Sequence, residues 1–367
     1  MLQAHVAHIT AVHPALDTRI FVKECVTLAA AGYKVSLLVL GGKSEHRSGV
    51  EIIGIPFEGS RWTRFIKGRR LLKQASLNLK AAVYHIHDPE LLPLGLQLQR
   101  AGFKVIYDAH EDLPRQIAHK HYIPQFFKGL AAWMIERIEN FYASRLSAIV
   151  TVTPHIVERF KHIHPLVVEV CNYPDRQDIQ MTKTSWSGNK VCYIGGITEA
   201  RGIRELLDAL THADVELILA GEVSPPQLLS ELQQHPAWSK VDYRGFQDRN
   251  GVNHIMKESV AGLVTLRPHP GYMTAYPVKM FEYMAAGLPV IATMIPLWKG
   301  ILERHEAGSC IDINNTSAYS SALEQFTSDE KAAEQMGMNG HCAVQMHYNW
   351  QQEAKTLLEL YAKLLSH

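Results

Sequence analysis

The sequence predicts an α/β protein built from two doubly wound parallel sheets. Short apolar runs alternate with helical patterns along most of the 367 residues, and this alternation is typical of parallel sheets with helices on both faces. The alternation stops at the polar segment 175–189, which contains Gly188, and then begins again. Because a chain of this length is expected to form about two domains, we predict two Rossmann-like halves joined by a linker.

The first half contains six predicted strands and two predicted helices. The helices span 19–31 and 91–101, and each ends just before a glycine, Gly32 or Gly102, which is a common helix stop signal. The strands are short runs of mostly apolar residues. They span 5–10, 34–40, 50–55, 83–86, 104–108 and 148–153.

The second half repeats this pattern and ends in an amphipathic helix at 351–365. Helices are predicted at 202–211 and 277–286. The predicted strands span 190–194, 215–220, 241–244, 260–265 and 289–292. Two such halves usually bind a ligand in the cleft between them, at the carboxyl ends of the strands.

The composition is that of an ordinary globular protein, with 47% hydrophobic and 20% charged residues. A formal net charge of +1 provides no field that would attract nucleic acid. The five cysteines are scattered without a CxxC pair, which favours reduced thiols and a cytoplasmic location. We expect neither a signal peptide nor a transmembrane helix, because no basic leader and no run of 18 apolar residues is visible.

One acidic residue, Glu282, lies in the otherwise apolar helix predicted at 277–286. Pro277 at the first position and Gly287 just past the end are the usual helix boundary signals. A carboxylate among apolar side chains is costly unless it is bound, and Lys279 lies on the same helical face. Since a helix N-terminus beside a lysine favours an anionic ligand, Glu282 either belongs to a ligand site, pairs with Lys279 or caps a loop.

A glycine-containing loop follows the strand predicted at 190–194. Gly195 and Gly196 would let a ligand approach the backbone closely. Arg201 lies at the start of the next helix, where its guanidinium could hold a diphosphate through two hydrogen bonds. The loop is not a GxGxxG dinucleotide fingerprint. A tight turn with a solvated arginine is the alternative interpretation.

Histidines and acids follow several strands of the first half. They could hydrogen-bond to sugar hydroxyls or bind a metal, and we predict no metal ligand set. The chain has no Asp-x-Asp pair, which argues against a diphosphate–metal mechanism. His110 could donate to a substrate hydroxyl or be a polar loop residue, and Asp17 could be a helix N-cap. The acceptor-side candidates are His13, Asp17, Arg19, His87, Asp88 and Glu111, with His85 and Asp112 beside them.

The segment 61–73 interleaves basic residues with Trp62, Phe65, Ile66, Leu71 and Leu72. Such a segment can rest on an anionic membrane surface. A solvated helix is the alternative.

These motifs resemble those of retaining GT-B glycosyltransferases of family 4. PVKMFEYMAAGLPVIAT resembles the nucleotide-sugar-binding signature, and YIGGITEARGIRELLDAL resembles the glycine loop and the diphosphate-binding helix. ILAGE, VDYRGF and the closing YNWQQEAKTLLELYAKLL resemble further elements of the second half. DTRIFVKECVTLAAAGYKVSLLV, HDPELLPLG and VIYDAHEDLPRQI resemble a bacterial polysaccharide-synthesis branch.

The resemblance implies the GT-B fold and its division of the chain. It implies an acceptor-binding domain at 1–174, a linker at 175–189 and a nucleotide-sugar-binding domain at 190–347. The C-terminal helix, within 348–367, would cross back to the N-terminal domain.

The resemblance also implies roles for individual residues. Glu282 would accept hydrogen bonds from the donor ribose, Arg201 would hold the diphosphate, and Gly195 and Gly196 would lie under the phosphates. His110 would face the transferred sugar or the acceptor. His110, Arg201 and Glu282 are therefore the expected catalytic residues.

Two departures from the family pattern change the expected donor contacts. Thr274 occupies the position of the first of two family glutamates, so the contact to the transferred sugar differs. A family arginine that usually follows the first glycine of the loop is missing, because Gly196 and Ile197 stand there. Arg201, Arg267 or Lys279 would supply its charge.

The implied reaction is the metal-independent transfer of a sugar, with retention, to a hydroxyl of a glycan or lipid-linked acceptor. The donor would be a nucleoside diphosphate sugar, with UDP expected first and GDP as the alternative, and no cofactor is expected. The process would be bacterial surface polysaccharide synthesis in the cytoplasm or at the cytoplasmic face of the membrane. The alternatives are a GT-B-fold nucleotide-sugar epimerase and a catalytically silent sugar-nucleotide-binding subunit.

Overall fold

The computed structural model describes residues 4–110, 112–113, 125–175, 181, 183, 185–268 and 273–366. Glu111, one of the acceptor-side candidates, lies outside the described residues. The chain divides into two compact units. The first comprises Met1–Asn172 and Trp350–His367, and the second comprises Tyr173–Asn349. The linker predicted at 175–189 is described only in part, so its extent stays a prediction.

The first unit contains an eight-stranded sheet. Its strands are β1 (His5–Thr10), β2 (Lys34–Leu40), β3 (Glu45–Arg47), β4 (Val50–Ile55), β5 (Val83–Ile86), β6 (Lys104–Ala109), β7 (Ala148–Thr151) and β8 (Val167–Glu169). They are ordered β3-β4-β2-β1-β5-β6-β7-β8. All neighbouring pairs are parallel except β3 with β4, so the predicted parallel sheet is confirmed.

Helices cover both faces of this sheet, and alternate strand residues point to each face. Ala7 and Ile9 of β1 belong to one apolar cluster, whereas Val6 belongs to the other. The regular helices are α1 (Val26–Ala30), α2 (Arg61–Thr63), α3 (Arg69–Leu79), α4 (Leu92–Arg100), α5 (Gln125–Ala143) and α6 (Pro154–Lys161). π-Helices at Thr18–Cys25 and Arg64–Gly68 precede α1 and α3, and a 3-10 turn at Pro89–Leu91 precedes α4.

The structure differs from the sequence prediction at short or irregular elements of this unit. The helix expected over 19–31 is a π-helix followed by α1. The edge strand β3 was not predicted, because its residues EHR are exposed and carry no apolar pattern. The edge strand β8 was missed because it has only three residues.

The second unit contains a six-stranded sheet that is parallel throughout. Its strands are β9 (Lys190–Ile194), β10 (Glu216–Ala220), β11 (Val241–Gly245), β12 (Ala261–Val264), β13 (Val290–Thr293) and β14 (Gly308–Ile311). They are ordered β11-β10-β9-β12-β13-β14. The predicted α/β class with two doubly wound sheets is thus confirmed. The edge strand β14 was not predicted, because its residues GSCI form no apolar run.

The helices of the second unit follow its strands, as crossover connections between parallel strands require. They are α7 (Ile203–His212), α8 (Gln227–Gln233), α9 (Arg249–Glu258), α10 (Val278–Ala286), α11 (Pro296–His305), α12 (Thr316–Ser328) and α13 (Glu330–Met346). 3-10 turns lie at Glu199–Arg201 and Pro236–Lys240. Pro277 was predicted to be the first residue of α10. It is instead the N-cap, because its ψ of 112° is extended.

The last helix, α14 (Trp350–Leu365), belongs to the first unit. Its Leu357, Leu360 and Tyr361 pack in the apolar cluster that also holds Ile20 and Val35. No helix in the described part of the chain is long and apolar enough to cross a membrane.

Candidate functional site

The loop after β9 is shaped by glycines that bring backbone segments close together. Gly195 has a φ of +135° and Gly221, at the end of β10, has a φ of +145°. A Cβ on Gly221 would lie 2.0 Å from the carbonyl oxygen of Gly195, so no side chain fits there. A Cβ on Gly196 would meet no described atom within 4 Å. The loop therefore presents bare backbone beside open space, as phosphate-binding loops do.

Lys279 reaches this loop from the first turn of α10. Its Nζ lies 3.8 Å from the centroid of the Tyr193 ring and 3.1 Å from where a Gly195 Cβ would stand. The Nζ is buried and has no hydrogen-bond partner among the described residues. Burial first, and then the positive charge of Arg201, lower the pKa of Lys279 to about 7.

Arg201 lies at the end of the 3-10 turn that leads into α7. Thr265 Oγ1 donates to its carbonyl oxygen at 2.8 Å and so ties the turn to the end of β12. Its side chain is half-buried and forms no ion pair within the described ranges. Arg201 and Lys279 are thus two interacting cations for which the described structure supplies no carboxylate partner, and this arrangement favours an anionic ligand.

Glu282 lies one turn after Lys279 on α10, as the helical spacing predicts. Its Oε1 accepts a hydrogen bond from Arg249 Nη1 at 3.0 Å. The carboxylate therefore pairs with Arg249 of α9 and not with Lys279, which was the alternative considered from the sequence. With 31% of its side chain exposed, Glu282 remains accessible to a ligand.

Arg267 and Thr274 have different surroundings from Arg201 and Lys279. Arg267 Nε donates to Glu205 Oε1 at 2.6 Å, and its side chain is 41% exposed. Because the charge of Arg267 is already compensated, Arg201 and Lys279 are better placed to replace the missing family arginine. Thr274 is half-buried in the loop before α10, and its predicted sugar contact stays a prediction.

The polar residues at the strand ends of the first unit come together, which the sequence left open. Arg19, which is only 6% exposed, donates from Nε and Nη2 to the two carboxylate oxygens of Asp108, at 2.8 and 2.9 Å. Its Nη1 donates to the carbonyl of Val170 at 2.8 Å. The expectation that Arg19 faces the acceptor is therefore corrected: its guanidinium is occupied by Asp108 and the Val170 carbonyl, and its Nε also lies 3.2 Å from Glu24 Oε1.

Three further acceptor-side candidates serve the structure of the unit. His87 is fully buried and bonds to Asp108 through Nδ1 at 3.1 Å, so its expected acceptor contact is corrected as well. Asp88 is almost buried and accepts from the amide of Ala11 at 2.6 Å. Asp17 is the N-cap of the π-helix, as anticipated, and accepts from the amide of Ile20 at 2.9 Å.

The hydrogen bonds to Asp17 explain its acidity. Burial raises the pKa of this carboxyl, but hydrogen bonds from His13 and from two backbone amides outweigh burial and lower the pKa to about 2. Asp17 is thus ionised beside His13 at neutral pH.

His13 and His110 are the accessible members of this group. Their ring centroids lie 5.1 Å apart. His110 Nδ1 lies 3.4 Å from Asp108 Oδ2, and His13 Nε2 lies 3.5 Å from Asp88 Oδ1. Each histidine therefore has a carboxylate behind it and a partly exposed ring, which suits hydrogen bonding to a substrate hydroxyl.

Sequence reasoning missed several residues beside these sites. Arg249 is 33 positions from Glu282, and no local pattern connects the two. His8, Glu24 and Tyr361 surround His85 and His87 inside the first unit. The sequence could have indicated them only through the presence of charged or polar residues inside predicted apolar strands and helices.

Comparisons with known proteins agree with this geometry. A family model described as "Glycosyl transferases group 1" matches residues 176–341, and one described as "Glycosyl transferase 4-like domain" matches residues 21–168. A phosphatidyl-myo-inositol mannosyltransferase of Mycobacterium leprae is 27% identical over 183 residues. That alignment covers 47% of this chain and 46% of the relative, so it spans just under half the length of each protein.

Solved structures show the same fold. Sucrose-phosphate synthase from Thermosynechococcus elongatus superimposes with a TM-score of 0.79 at 17% identity, over 99% of this chain and 100% of that chain. HepE of Anabaena, in complex with UDP and glucose, superimposes with a TM-score of 0.74 at 14% identity, over 98% and 100% of the two chains.

Two parallel-sheet units with these neighbours define the GT-B class of glycosyltransferase folds. Together the two family models span most of the sequence. The chain belongs to the GT4-type glycosyltransferases.

Proposed function

We propose that this protein transfers a sugar from a nucleoside diphosphate to an acceptor hydroxyl, with retention of the anomeric configuration. The observation that carries the proposal is the cation pair, Arg201 and Lys279, beside the bare loop at Gly195. A leaving diphosphate gains negative charge as its bond to the sugar breaks. Preorganised cations and backbone amides stabilise such charge most effectively where water is excluded.

The donor would lie along the glycine loop and the start of α10. Glu282, oriented by Arg249 and still accessible, would accept hydrogen bonds from the ribose hydroxyls. HepE of Anabaena was solved with UDP and glucose and also with UDP-glucose, which supports a UDP-sugar as the first candidate and leaves a GDP-sugar as the second.

The transfer would need neither a metal on the diphosphate nor a cofactor. The chain has no Asp-x-Asp pair to hold such a metal, and Arg201 and Lys279 provide positive charge instead. On the retaining route, the acceptor oxygen forms its bond on the face from which the diphosphate departs. The departing phosphate oxygen takes the acceptor's proton, so no protein nucleophile is required.

The acceptor would be a hydroxyl of a glycan or a lipid-linked glycan in bacterial surface polysaccharide synthesis. His13 and His110 offer accessible rings, each with a carboxylate behind it, for binding such hydroxyls. The Mycobacterium leprae relative is a mannosyltransferase of phosphatidyl-myo-inositol by name, which supports a lipid-bearing acceptor.

A contact with the cytoplasmic membrane surface is part of this proposal. Trp62 is 79% exposed and Ile66 is also exposed, on a helical segment that carries Lys67 and Arg69. Apolar side chains beside basic ones suit an anionic bilayer surface. Trp62→Ala should lower sedimentation with anionic vesicles, whereas Phe246→Ala, which removes an exposed ring of the second unit, should not.

A donor screen tests the central proposal. UDP-, GDP- and ADP-sugars are added to the full chain, and the melting temperature is followed, because a ligand that binds only the native state raises it. Lys279→Met should abolish the shift. Arg204→Met is the control, because Arg204 is a cation of the same unit, on α7, and is already paired with Glu199 and Glu231. If none of the sugar nucleotides raises the melting temperature, the proposal is contradicted.

Product analysis then identifies the reaction. Incubation of the bound donor with and without glycan acceptors, followed by NMR of the new linkage, should show an acceptor-dependent product with the donor's anomeric configuration. A converted sugar nucleotide in the absence of acceptor would indicate an epimerase. Donor binding without turnover on any acceptor would indicate a silent binding subunit.

A further inference from the structure

A fully buried cluster of ligating side chains lies inside the first unit. His8 is on β1, His85 and His87 lie on and just after the neighbouring β5, and Glu24 is on the π-helix Thr18–Cys25. All four side chains have no exposed surface. None of them takes part in the donor site, whose residues belong to the other unit.

Four potential ligand atoms of this cluster lie close to one another. Glu24 Oε2 lies 3.7 Å from His8 Nδ1, 3.8 Å from His85 Nδ1 and 3.8 Å from His87 Nε2. His8 Nδ1 and His87 Nε2 are 2.9 Å apart. The ligand atoms of the group all lie within 4.8 Å of one another. Tetrahedral zinc with bonds of about 2.0–2.1 Å places its ligand atoms about 3.3 Å apart, so small side-chain adjustments would suffice.

Hydrogen bonding among the protein groups leaves this cluster incomplete. Asp108 accepts from His87 Nδ1, so the neutral His87 must accept at Nε2 from His8 Nδ1. Tyr361 then donates to His8 Nε2 and accepts from His85 Nδ1. This chain of donors never reaches Glu24, and both of its carboxylate oxygens stay without a hydrogen bond from a described residue. A buried carboxylate without hydrogen bonds is costly.

We propose that His8, Glu24, His85 and His87 bind a zinc ion within the first unit. Three imidazoles and one carboxylate form a ligand set that suits Zn²⁺. Glu24 would coordinate through Oε2, because its Oε1 lies 3.2 Å from Arg19 Nε.

The residues around the cluster fit an outer shell for this ion. His87 Nδ1 would keep its hydrogen bond to Asp108 at 3.1 Å. With zinc on Nδ1, His8 would carry its proton on Nε2 and donate it to the Tyr361 hydroxyl, 3.1 Å away, while His85 Nδ1 would exchange its bond to Tyr361 for the zinc. Histidine ligands of zinc are commonly held in this way by a carboxylate or another polar group. Burial lowers the pKa of all three histidines, which keeps the imidazoles neutral as ligation requires.

The ion would have a structural role, because the cluster is closed to solvent and four protein ligands complete a tetrahedral site. It would connect the π-helix to β1 and β5, and through Tyr361 it would connect them to α14. The chemistry proposed for the donor does not depend on it.

Metal content tests the site without any measurement of transfer. The full chain, free of any affinity tag, is purified from zinc-supplemented medium and desalted, and its zinc is measured by mass spectrometry. We expect about one zinc per chain. Glu24→Gln and His85→Ala should weaken zinc binding by at least ~100-fold. Co²⁺ added to the metal-free wild type should give the intense visible absorption of a four-coordinate site.

His164→Ala is the matched control, because His164 is another buried histidine of this unit and bonds to the carbonyl of Leu146 at 3.0 Å. This variant should keep its zinc and its circular dichroism. The proposal is overturned if wild-type protein holds no zinc and gives no four-coordinate Co²⁺ spectrum, or if Glu24→Gln binds zinc as tightly as wild type. The wild-type measurements decide the question even if a ligand variant does not fold.

Discussion

The two units differ in whether the charged side chains near the ends of their parallel strands are compensated. In the first unit, Arg19 gives its donors to Asp108 and to a backbone carbonyl, and both are buried. In the second unit, Arg201 and Lys279 have no carboxylate partner in the described structure. Charges that satisfy each other hold a fold together, whereas like charges left together favour binding of an anion. Arg19 therefore supports the fold of its unit, whereas Arg201 and Lys279 are the candidates for binding an anionic ligand.

The largest effect should come from breaking the satisfied pair. Arg19→Met leaves the Asp108 carboxylate buried beside Glu24 without its cation, and such losses cost about 3–5 kcal/mol. Urea unfolding followed by circular dichroism should show a large drop in the midpoint. Arg64→Met, which removes a more exposed partner of Glu90, should cost about 0–1 kcal/mol. Equal losses of stability in the two variants would show that the buried pair of Arg19 and Asp108 contributes no more than the more exposed pair of Arg64 and Glu90.

Removing one of the unsatisfied cations should affect turnover more than folding. Arg201→Met should lower kcat by about 10²–10³-fold, because a preorganised group that stabilises the leaving diphosphate is lost. Its urea midpoint should stay near that of wild type, since the apo protein loses a repulsive contact with Lys279. Steady-state kinetics at saturating donor checks this, with Arg204→Met as the control. A wild-type kcat in Arg201→Met would contradict the assignment.

Glu282 is intermediate between the compensated Arg19 and the uncompensated Arg201, because it pairs with Arg249 and is still accessible. Glu282→Ala should lower kcat/KM by about 10–100-fold, since hydrogen bonds to a charged acceptor are worth about 1.5–3 kcal/mol. Arg249→Gln should change kcat/KM by less than about fivefold, because an exposed ion pair contributes about 0.2–1 kcal/mol. A larger effect from Arg249 than from Glu282 would move the donor contact to the arginine.

The smallest expected effect is a pH dependence of nucleotide binding. The pKa of Lys279 is lowered to about 7 in the free protein, whereas a bound diphosphate favours the ammonium form and raises that pKa. Binding of UDP should therefore take up a proton above pH 7, and affinity should fall by up to about tenfold per pH unit. Calorimetry between pH 7 and 9, in buffers of different ionisation enthalpy, measures both quantities.

Lys279→Met is the control for this pH dependence. It should bind UDP more weakly and should show no proton uptake from this position. The same proton uptake in the variant would assign the titration to another group.

Regular strands were predictable because their signal is local. β1, β2, β4, β5 and β9 have the predicted bounds, since each is a mostly apolar run in a buried parallel sheet. The edge strands β3, β8 and β14 were missed, because an edge strand is specified by its neighbour's backbone rather than by its own side chains.

The donor-site residues were predictable to a similar degree. Lys279 and Glu282 share one helix face, so their proximity follows from the helical period alone. The glycine loop was recognisable from its place after β9. That Lys279 Nζ has no hydrogen-bond partner in the described part of the chain, and that Glu282 pairs with Arg249, could be seen only in the tertiary structure.

By itself, the sequence determined the alternation of strands and helices, the two-sheet fold class and the positions of the loops that carry Gly195 and Arg201. These features depend on periodicity and on local backbone preferences, which neighbouring residues encode. Only the tertiary structure decided which charges are compensated. It paired Arg19 and His87 with Asp108 and left Arg201 and Lys279 without a carboxylate partner in the described structure. It also brought ligand atoms of His8, Glu24 and His85 within 4.8 Å of one another. Pairing energies depend on distance and burial, and both are set by segments that lie far apart in the chain.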